Sequence, residues 1–270
     1  MGNRSKQFRD FRGECGDERR NSTDRGEWIY GRRPVLEVVK AGKRHLYEAV
    51  LPQEGRDAPD VAELRGLLLG QGVPFRTMDR EAMDALCEGG NHQGVAVRTG
   101  GYPYISLEQV IHDVKEDANA LVLILDHIED PQNVGSLLRT ADAAGVTAVL
   151  LPEDRASGVT PGVVRASAGA AEHMRVAKVV NLVRAMKALQ ECGAWITGLD
   201  FGADAKTYTA VDFKGRVGLV VGSEGNGISR LVRESCDFIA CLPMKGRVES
   251  LNAGVAGAIA LYEIVRQRGA

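Results

Sequence analysis

The sequence predicts an α/β protein with a mostly parallel sheet, because strand-length apolar runs alternate with helical patterns over its second half. The first run, 121–125, is apolar throughout, which is typical of a parallel strand that is buried on both faces. A helical pattern follows at 134–144 and ends before Gly145. Continued alternation implies that helices cover both faces of the sheet. Further strands are expected at 148–151, 174–176, 194–199, 217–221 and 238–242, with helices at 182–192, 228–236 and 252–266.

A smaller α/β unit is predicted ahead of this sheet, over residues 28–98. Pro34 suits the first turn of its first helix. Residues 99–119 are interpreted as a linker that carries one helix, and 120–270 as the second domain. Within the smaller unit, helices are expected at 34–39, 61–69 and 80–87, and strands at 46–51, 74–78 and 93–97.

Residues 1–27 are polar, charged and nearly free of aliphatic side chains, so they are predicted to form a disordered tail. This segment lacks the apolar core of a secretory signal, and a cytoplasmic protein is expected. Four basic residues leave open a role for the tail as an RNA-contacting arm: Arg4, Lys6, Arg9 and Arg12.

The composition excludes several classes of protein. No apolar run approaches the roughly 20 residues of a membrane-spanning helix, so no membrane association is expected. Five scattered cysteines without a C-x-x-C pair, and five scattered histidines, predict reduced thiols and no metal site. The net charge is −2, so any RNA contact must depend on local basic patches. Candidates for such patches are Arg32, Arg33, Lys40, Lys43, Arg44, Arg155, Arg165 and Arg175.

Three segments place polar residues where a buried apolar run should continue: 133–139, 222–227 and 250–252. Each lies at the edge of a predicted strand or at the start of a predicted helix. Burying polar groups is costly unless each one finds a partner. Three such segments in one half of the chain predict a single convergent site.

The glycine-rich segment 222–227 follows a strand and precedes a helix, where a phosphate-binding loop would be expected. Its glycines are ordered G-x-x-G-x-G rather than G-x-G-x-x-G, and Glu224 would repel a pyrophosphate. A dinucleotide site is therefore disfavoured. A tight turn followed by a helix cap remains an alternative.

The other two segments carry side chains that need partners. Arg139 lies among apolar residues of a predicted helix, so it is either a surface arginine or a ligand for a phosphate or carboxylate. Ser250 and Asn252 are both suitable N-caps for the last helix. The small residues at 253–260 allow that helix to pack closely on another segment or on another subunit.

Together, the segments resemble the SpoU-type ribose 2'-O-methyltransferases of the SPOUT superfamily. The resemblance covers about residues 121–268 and rests on three ordered motifs: Asn133–Ala141, Val221–Gly225 with Leu242-Pro243-Met244, and Ser250-Leu251-Asn252. Residues 28–98 resemble the ribosomal-protein-like substrate-binding domain of that family through Tyr30-Gly31, Pro34-Val35 and Asn91–Val95. The branch that methylates a guanosine ribose of 23S rRNA is the most similar.

The resemblance implies a C-terminal trefoil knot, S-adenosyl-L-methionine as the cofactor, and a homodimer whose site is completed across the interface. It implies cofactor binding by Gly222, Leu242, Met244 and Leu251. It also implies a catalytic cluster made of Asn133, Arg139, Glu224, Ser250 and Asn252.

An arginine is almost always protonated, which makes it a poor general base. Arg139 is therefore expected to clamp an RNA phosphate and the developing alkoxide, while Glu224 orients Arg139 or Asn133 and water takes the proton. Three alternatives stay open: a tRNA ribose methyltransferase, an antibiotic-resistance rRNA methyltransferase, and a non-enzymatic RNA-binding assembly factor.

Overall fold

The computed structural model describes residues 26–53 and 58–269. The predicted disordered tail and its four basic residues lie outside the described residues, except at its C-terminal end. There, Glu27 already pairs with Thr99 in a strand.

A four-stranded sheet forms the N-terminal part, with the order β1-β4-β2-β3. The pairs of β4 with β1 and β2 are antiparallel, and β2 and β3 are parallel. The predicted helices of this part are confirmed, as are the strands near 46–51 and 74–78; the strand expected at 93–97 begins only at Ala96, and the edge strand β1 was not predicted. The elements are β1 (Glu27–Tyr30), α1 (Arg32–Ala41), β2 (Leu46–Val50), α2 (Pro59–Gly70), β3 (Phe75–Arg76), α3 (Arg80–Leu86) and β4 (Ala96–Thr99).

A seven-stranded sheet follows, with the order β7-β6-β5-β10-β8-β11-β9 and parallel pairing throughout. This confirms the predicted α/β fold with a mostly parallel sheet. The strands are β5 (Leu121–Asp126), β6 (Ala148–Pro152), β7 (Val176–Val179), β8 (Trp195–Leu199), β9 (Lys206–Thr207), β10 (Val217–Gly222) and β11 (Phe238–Cys241). The helices are α4 (Leu107–Glu116), α5 (Pro131–Ala143), α6 (Pro161–Ala166), α7 (Leu182–Glu191), α8 (Arg230–Glu234) and α9 (Ala253–Gln267).

Two elements differ from their predicted positions for local reasons. The strand expected at 174–176 begins at Val176, because a 3-10 turn at Ala170–Glu172 uses the Met174 amide, which donates to the Ala171 carbonyl. The helix expected at 228–236 begins at Arg230, because the Ser229 amide donates to the buried Asp126 carboxylate at 2.6 Å. The short helix α6 and the short strand β9 have too few residues to produce a period and were not predicted.

The two sheets share one apolar core, which contains residues of both, such as Ile29 and Leu121. Polar contacts also cross the junction. The Tyr102 hydroxyl is within hydrogen-bond distance of the carbonyls of Ala171 (3.0 Å) and Met174 (2.8 Å). Because no break in packing separates the sheets, the boundaries at 98 and 119 stay predictions.

Arg44 lies at the centre of this junction, and its expected contact with RNA is wrong. Its side chain is fully buried and donates to both carboxylate oxygens of Glu172, from Nε at 2.9 Å and from Nη2 at 2.7 Å. It also pairs with Glu27. Burial opposes the charge, but the hydrogen bonds and the attraction of the two carboxylates outweigh it and raise the pKa of Arg44.

Within 26–53 and 58–269, no helix is long and apolar enough to cross a membrane. In the same part of the chain, no group of three or more His, Cys, Asp or Glu side chains is placed to hold a metal ion.

Candidate active site

A cavity of about 620 Å³ opens at the carboxyl edge of the large sheet, where β8, β10 and β11 end. The loops that follow these strands form its walls, and the start of α9 closes one side. Ligands of open parallel sheets typically bind at this edge, because the loops of adjacent strands diverge there.

The loop after β10 forms one wall through a tight turn. Gly222 is buried, and a Cβ atom there would lie 2.2 Å from the carbonyl carbon of Gly227, so only glycine fits. Ser223 and Gly227 exchange backbone hydrogen bonds of 3.1 and 2.9 Å, while Gly225 and Gly227 adopt positive φ angles of 82° and 63°. The segment therefore forms a tight turn, and the turn presents Glu224 to the cavity.

Three of the predicted catalytic side chains meet beside this turn. Asn252 donates from Nδ2 to Asn133 Oδ1 at 2.8 Å, and the same nitrogen donates to Glu224 Oε1. Asn133 is buried, and it can contribute to the cluster because Asp130 and Pro131 start α5 two residues earlier, as predicted. One convergent polar site therefore links all three polar segments.

Asn252 also caps α9, since its Oδ1 accepts from the Val255 amide at 3.1 Å. Its two amide hydrogens and its carbonyl are thus engaged within the protein. Ser250 is not the cap; it is exposed and lines the cavity. Asn133 Nδ2 and Glu224 Oε2 make no hydrogen bond to any described residue, and Glu224 lines the cavity, where it is available to a ligand.

Small residues of α9 bring Asn252 close to Asn133. A Cβ atom at Gly257 would lie 2.3 Å from Leu137 Cδ2, and one at Gly254 would lie 3.2 Å from Ser136 Oγ. The close packing expected for 253–260 therefore occurs against α5 of the same chain.

Arg139 is a predicted catalytic residue, but it makes no contact with the cluster in the described structure. It is exposed on α5 and makes no hydrogen bond or ion pair with any described residue. Glu224 orients Asn252 rather than Arg139. Arg139 belongs to an exposed stripe of α5 whose members recur at helical spacing: Gln132, Ser136, Arg139 and Ala143.

The four residues expected to bind the cofactor all line the cavity: Gly222, Leu242, Met244 and Leu251. The loop after β8 was missed; it contributes Asp200 and Phe201, and Phe201 is half exposed at the cavity. Asp200 is held by Arg233, whose hydrogen bond to Asp204 lowers the pKa of Asp204. The signal available in the sequence was a carboxylate directly after the strand predicted at 194–199.

Known proteins resemble both parts of the chain. The sequence profile of the SpoU rRNA Methylase family matches residues 120–262, and a profile for RNA 2'-O ribose methyltransferase substrate binding matches residues 28–105. The chain belongs to the SpoU rRNA methylase family. It is therefore an RNA 2'-O-methyltransferase, and S-adenosylmethionine is the cofactor of the family.

Two relatives resemble nearly the whole chain. The 23S rRNA (guanosine-2'-O-)-methyltransferase RlmB of Xylella fastidiosa is 40% identical over 90% of this chain and 98% of its own length. A putative TrmH family tRNA/rRNA methyltransferase, YacO, of Bacillus subtilis is 37% identical over 90% of this chain and 96% of its own.

Solved structures show the same fold. The SpoU methyltransferase AviRb of Streptomyces viridochromogenes, in complex with its cofactor AdoMet, has a TM-score of 0.75 at 24% identity and covers 94% of each chain. A TrmH/SpoU tRNA-modifying enzyme of A. aeolicus covers only 60% of this chain and 84% of its own, with a TM-score of 0.51 at 28% identity.

The cavity fits the family's cofactor in size and chemistry. Its volume lies in the range of pockets that hold small molecules. Backbone at Gly222, Leu242 and Leu251 offers donors and acceptors for a polar ligand, while Met244 and Phe201 offer apolar surface. The charged residues that line it are Asp200 and Glu224, and their carboxylates suit a ligand that carries a cationic sulfonium.

Proposed function

We propose that this enzyme transfers a methyl group from S-adenosylmethionine to the ribose 2'-hydroxyl of a guanosine in 23S rRNA. The observation that carries the proposal is the 40% identity to the RlmB enzyme over 98% of that enzyme's length. The tRNA-modifying structure, in contrast, covers 60% of this chain. The relative that acts on 23S rRNA therefore matches a larger part of this chain than the tRNA-modifying structure does. The named relatives are bacterial, which supports a cytoplasmic location beside the ribosomal RNA.

Asn133 and Glu224 are the residues that face the ribose in this proposal. The cofactor supplies an activated methyl group, so the protein must orient the hydroxyl and accept one proton. Glu224 Oε2 accepts a hydrogen bond from the 2'-hydroxyl, and Asn133 Nδ2 donates to its oxygen as the bond to carbon forms and the carbon–sulfur bond breaks. The proton leaves to Glu224 or, through it, to water.

Asn252 is a positioning residue here rather than one that touches RNA. Its amide nitrogen fixes Glu224 Oε1 and Asn133 Oδ1, which leaves their second polar atoms directed to the ligand. Ser250, exposed on the loop before α9, contributes a hydroxyl on the RNA side of the same cavity.

The chain acts as a homodimer in this proposal, and Arg139 serves the partner's site. Three large apolar side chains are exposed along α9 at positions i, i+4 and i+7: Val255 (48%), Ile259 (37%) and Tyr262 (53%). The helix α5, whose exposed stripe carries Arg139, packs against α9. A second copy that covers this face would receive Arg139 as a clamp for RNA phosphate.

The dimer is tested by mass measurement in solution. Tyr262→Glu places a charge on the exposed face of α9 and is expected to yield monomers with unchanged secondary structure. Leu231→Glu, which alters another exposed apolar side chain on α8, serves as the control. A monomeric wild-type protein with full activity would disprove the shared site.

A trefoil knot that threads the C-terminal segment completes the proposed fold. The loops after β8, β10 and β11 and the start of α9 converge on one cavity, which is the region that a knot would hold together. Stretching the unfolded chain from its two ends should give a contour length shorter than that of an unknotted chain of the same length. A full-length extension would exclude the knot.

Mapping of ribose methylation on 23S rRNA tests the function directly. RNA from cells that lack the gene should miss a single 2'-O-methyl group, which the wild-type gene restores and Glu224→Gln does not. The same change at Glu234, exposed on α8, is the matched control and should restore it. A lost methyl group in tRNA instead of 23S rRNA would contradict the proposal, and failure to bind S-adenosylmethionine would favour an assembly factor.

A further inference from the structure

A second cavity, also of about 620 Å³, lies in the small N-terminal sheet, away from the methyl-transfer site. Its walls come from Pro52 and Gln53, which follow β2, from the segment that leads into α3, from α3 itself and from the loop before β4. This loop contains the segment 91–95, which the methyl-transfer mechanism leaves unused. All of the cavity's lining residues fall within 28–105, the range that matches the substrate-binding profile.

His92 holds the loop in an unusual conformation. Its Nδ1 accepts from the Gly94 amide at 2.9 Å, while its Nε2 lies 3.0 Å from Asp84. Gln93 adopts a positive φ of 53°, which is uncommon for a residue with a side chain. Such conformations persist only where surrounding contacts maintain them, and they are concentrated at functional sites.

The same contacts leave polar groups free at the cavity. Gln93 Oε1 accepts from the Arg32 amide at 3.2 Å, so its amide hydrogens remain available. The exposed Asn91 side chain makes no hydrogen bond to any described residue. Arg80 projects into solvent with 89% of its side chain exposed and only a 3.7 Å contact to Asp84.

Apolar surface completes the cavity, since Met78 and the buried Met83 also line it. Amide groups, an arginine and apolar surface in one concave site match the parts of an unpaired nucleotide. Amides bind base edges, arginine binds phosphate, and polarizable side chains pack against the base. Proteins that recognise RNA specifically take up unstacked bases in this way.

We infer that this cavity binds one unpaired nucleotide of the RNA substrate, at a position other than the methylated ribose. Asn91 and Gln93 contact the base edge, Met78 and Met83 contact its face, and Arg80 contacts the phosphate. The inference rests on the proposed function in one respect, namely that the ligand belongs to the RNA that is methylated.

The first experiment compares two double variants of the full-length protein. Arg80→Ala/Asn91→Ala removes one arginine and one asparagine at the cavity. Arg184→Ala/Asn119→Ala removes the same residue types at exposed positions outside the small N-terminal sheet and makes the same change in net charge. The probe is unmodified 23S rRNA transcribed in vitro.

The cavity variant should bind the transcript about tenfold more weakly than the control variant, the size expected for the loss of one base contact. Its affinity for S-adenosylmethionine and its kcat at saturating RNA should match those of the control. Equal RNA affinity for the two variants overturns the inference. An absence of methylation by the wild-type protein overturns the proposed function instead, because the affinity measurement requires no methyl transfer.

A second measurement separates base binding from a purely structural effect. RNA fragments that contain the methylated guanosine are prepared with single abasic nucleotides at successive positions. One position is expected to weaken binding of the wild-type protein about tenfold and binding of the cavity variant by clearly less, because the variant has already lost the Asn91 contact to that base. If every abasic position affects both proteins equally, the inference is wrong.

Discussion

Two polar clusters, one at the methyl-transfer site and one at the domain junction, contain similar residues. They differ in whether every polar atom has a partner within the protein. At the junction, both oxygens of Glu172 are bonded to Arg44, and both side chains have no exposure to solvent. At the site, Glu224 and Asn133 each keep one polar atom without a hydrogen bond to a described residue, and Glu224 lines an open cavity. A satisfied buried cluster fixes the structure, whereas an open one is available for chemistry.

Removing Glu172 should disrupt the fully paired cluster at the junction and give the largest loss of stability. Glu172→Ala leaves Arg44 buried with Glu27 as its remaining carboxylate partner. Loss of one member of a buried pair should lower the free energy of unfolding by about 3 kcal/mol. Urea denaturation followed by circular dichroism measures it.

The control is Glu234→Ala, which removes an exposed partner of Arg230 and should cost less than about 1 kcal/mol. The double change Arg44→Leu/Glu172→Leu should recover part of the loss, because both of the fully buried charges are removed together. Equal losses for Glu172→Ala and Glu234→Ala would contradict the structural role of the junction cluster.

Changing Glu224 tests whether the open cluster at the methyl-transfer site takes part in the chemistry. Glu224→Gln keeps a hydrogen-bond acceptor for Asn252 but removes the charge that accepts the hydroxyl proton. We expect kcat to fall about 100-fold or more, with little change in stability or in S-adenosylmethionine affinity. Single-turnover methylation and calorimetry measure these, with Glu234→Gln as the control; undiminished turnover would exclude Glu224 as the acceptor.

Arg139→Lys tests the difference between Arg44, which is paired within the protein, and Arg139, which has no partner among the described residues. Lysine keeps the charge but cannot form two parallel hydrogen bonds to a phosphate, so kcat/KM for RNA should fall about tenfold. The unfolding midpoint should not move, since Arg139 has no partner among the described residues. Arg184→Lys is the control, and full turnover of Arg139→Lys would show that the clamp role is wrong.

Phe201→Ala gives the smallest expected effect. Its half-exposed ring lines the cofactor cavity, where packing against an adenine would contribute about 0.5–1.5 kcal/mol. The Kd for S-adenosylmethionine should therefore rise a few-fold, as measured by calorimetry. Leu231→Ala, a similarly exposed apolar residue on α8, should leave it unchanged; equal values for the two variants would remove Phe201 from the cofactor site.

The sequence predicted the parallel sheet and the convergence of Asn133, Glu224 and Asn252 because these follow from periodicity and from the cost of unpaired polar groups. It failed for Arg44, which it assigned to RNA. A charged residue in a loop is usually exposed, and only the fold brings Glu172, 128 positions further along the chain, into contact with it. Partners this distant leave no local signal.

Phe201 and the cavity beside Asn91 were missed for a related reason. A cavity is formed by segments that are distant in sequence, and neither Phe201 nor Met78 differs locally from an ordinary loop residue. The sequence could show that 91–95 belongs to a recognisable motif. It could not show that both ring nitrogens of His92 are engaged within the protein, while Gln93 uses only its Oε1 there and keeps its amide hydrogens free.

The continuous core between the two sheets restricts which RNA shapes can occupy both cavities at once. Because apolar packing and the Arg44–Glu172 pair join the sheets, the two cavities keep a fixed separation. An RNA gains affinity from both cavities only if its folded shape presents the target ribose and a second unpaired nucleotide at that spacing. The enzyme then selects its target by the folded shape of the RNA, which neither cavity could distinguish by itself.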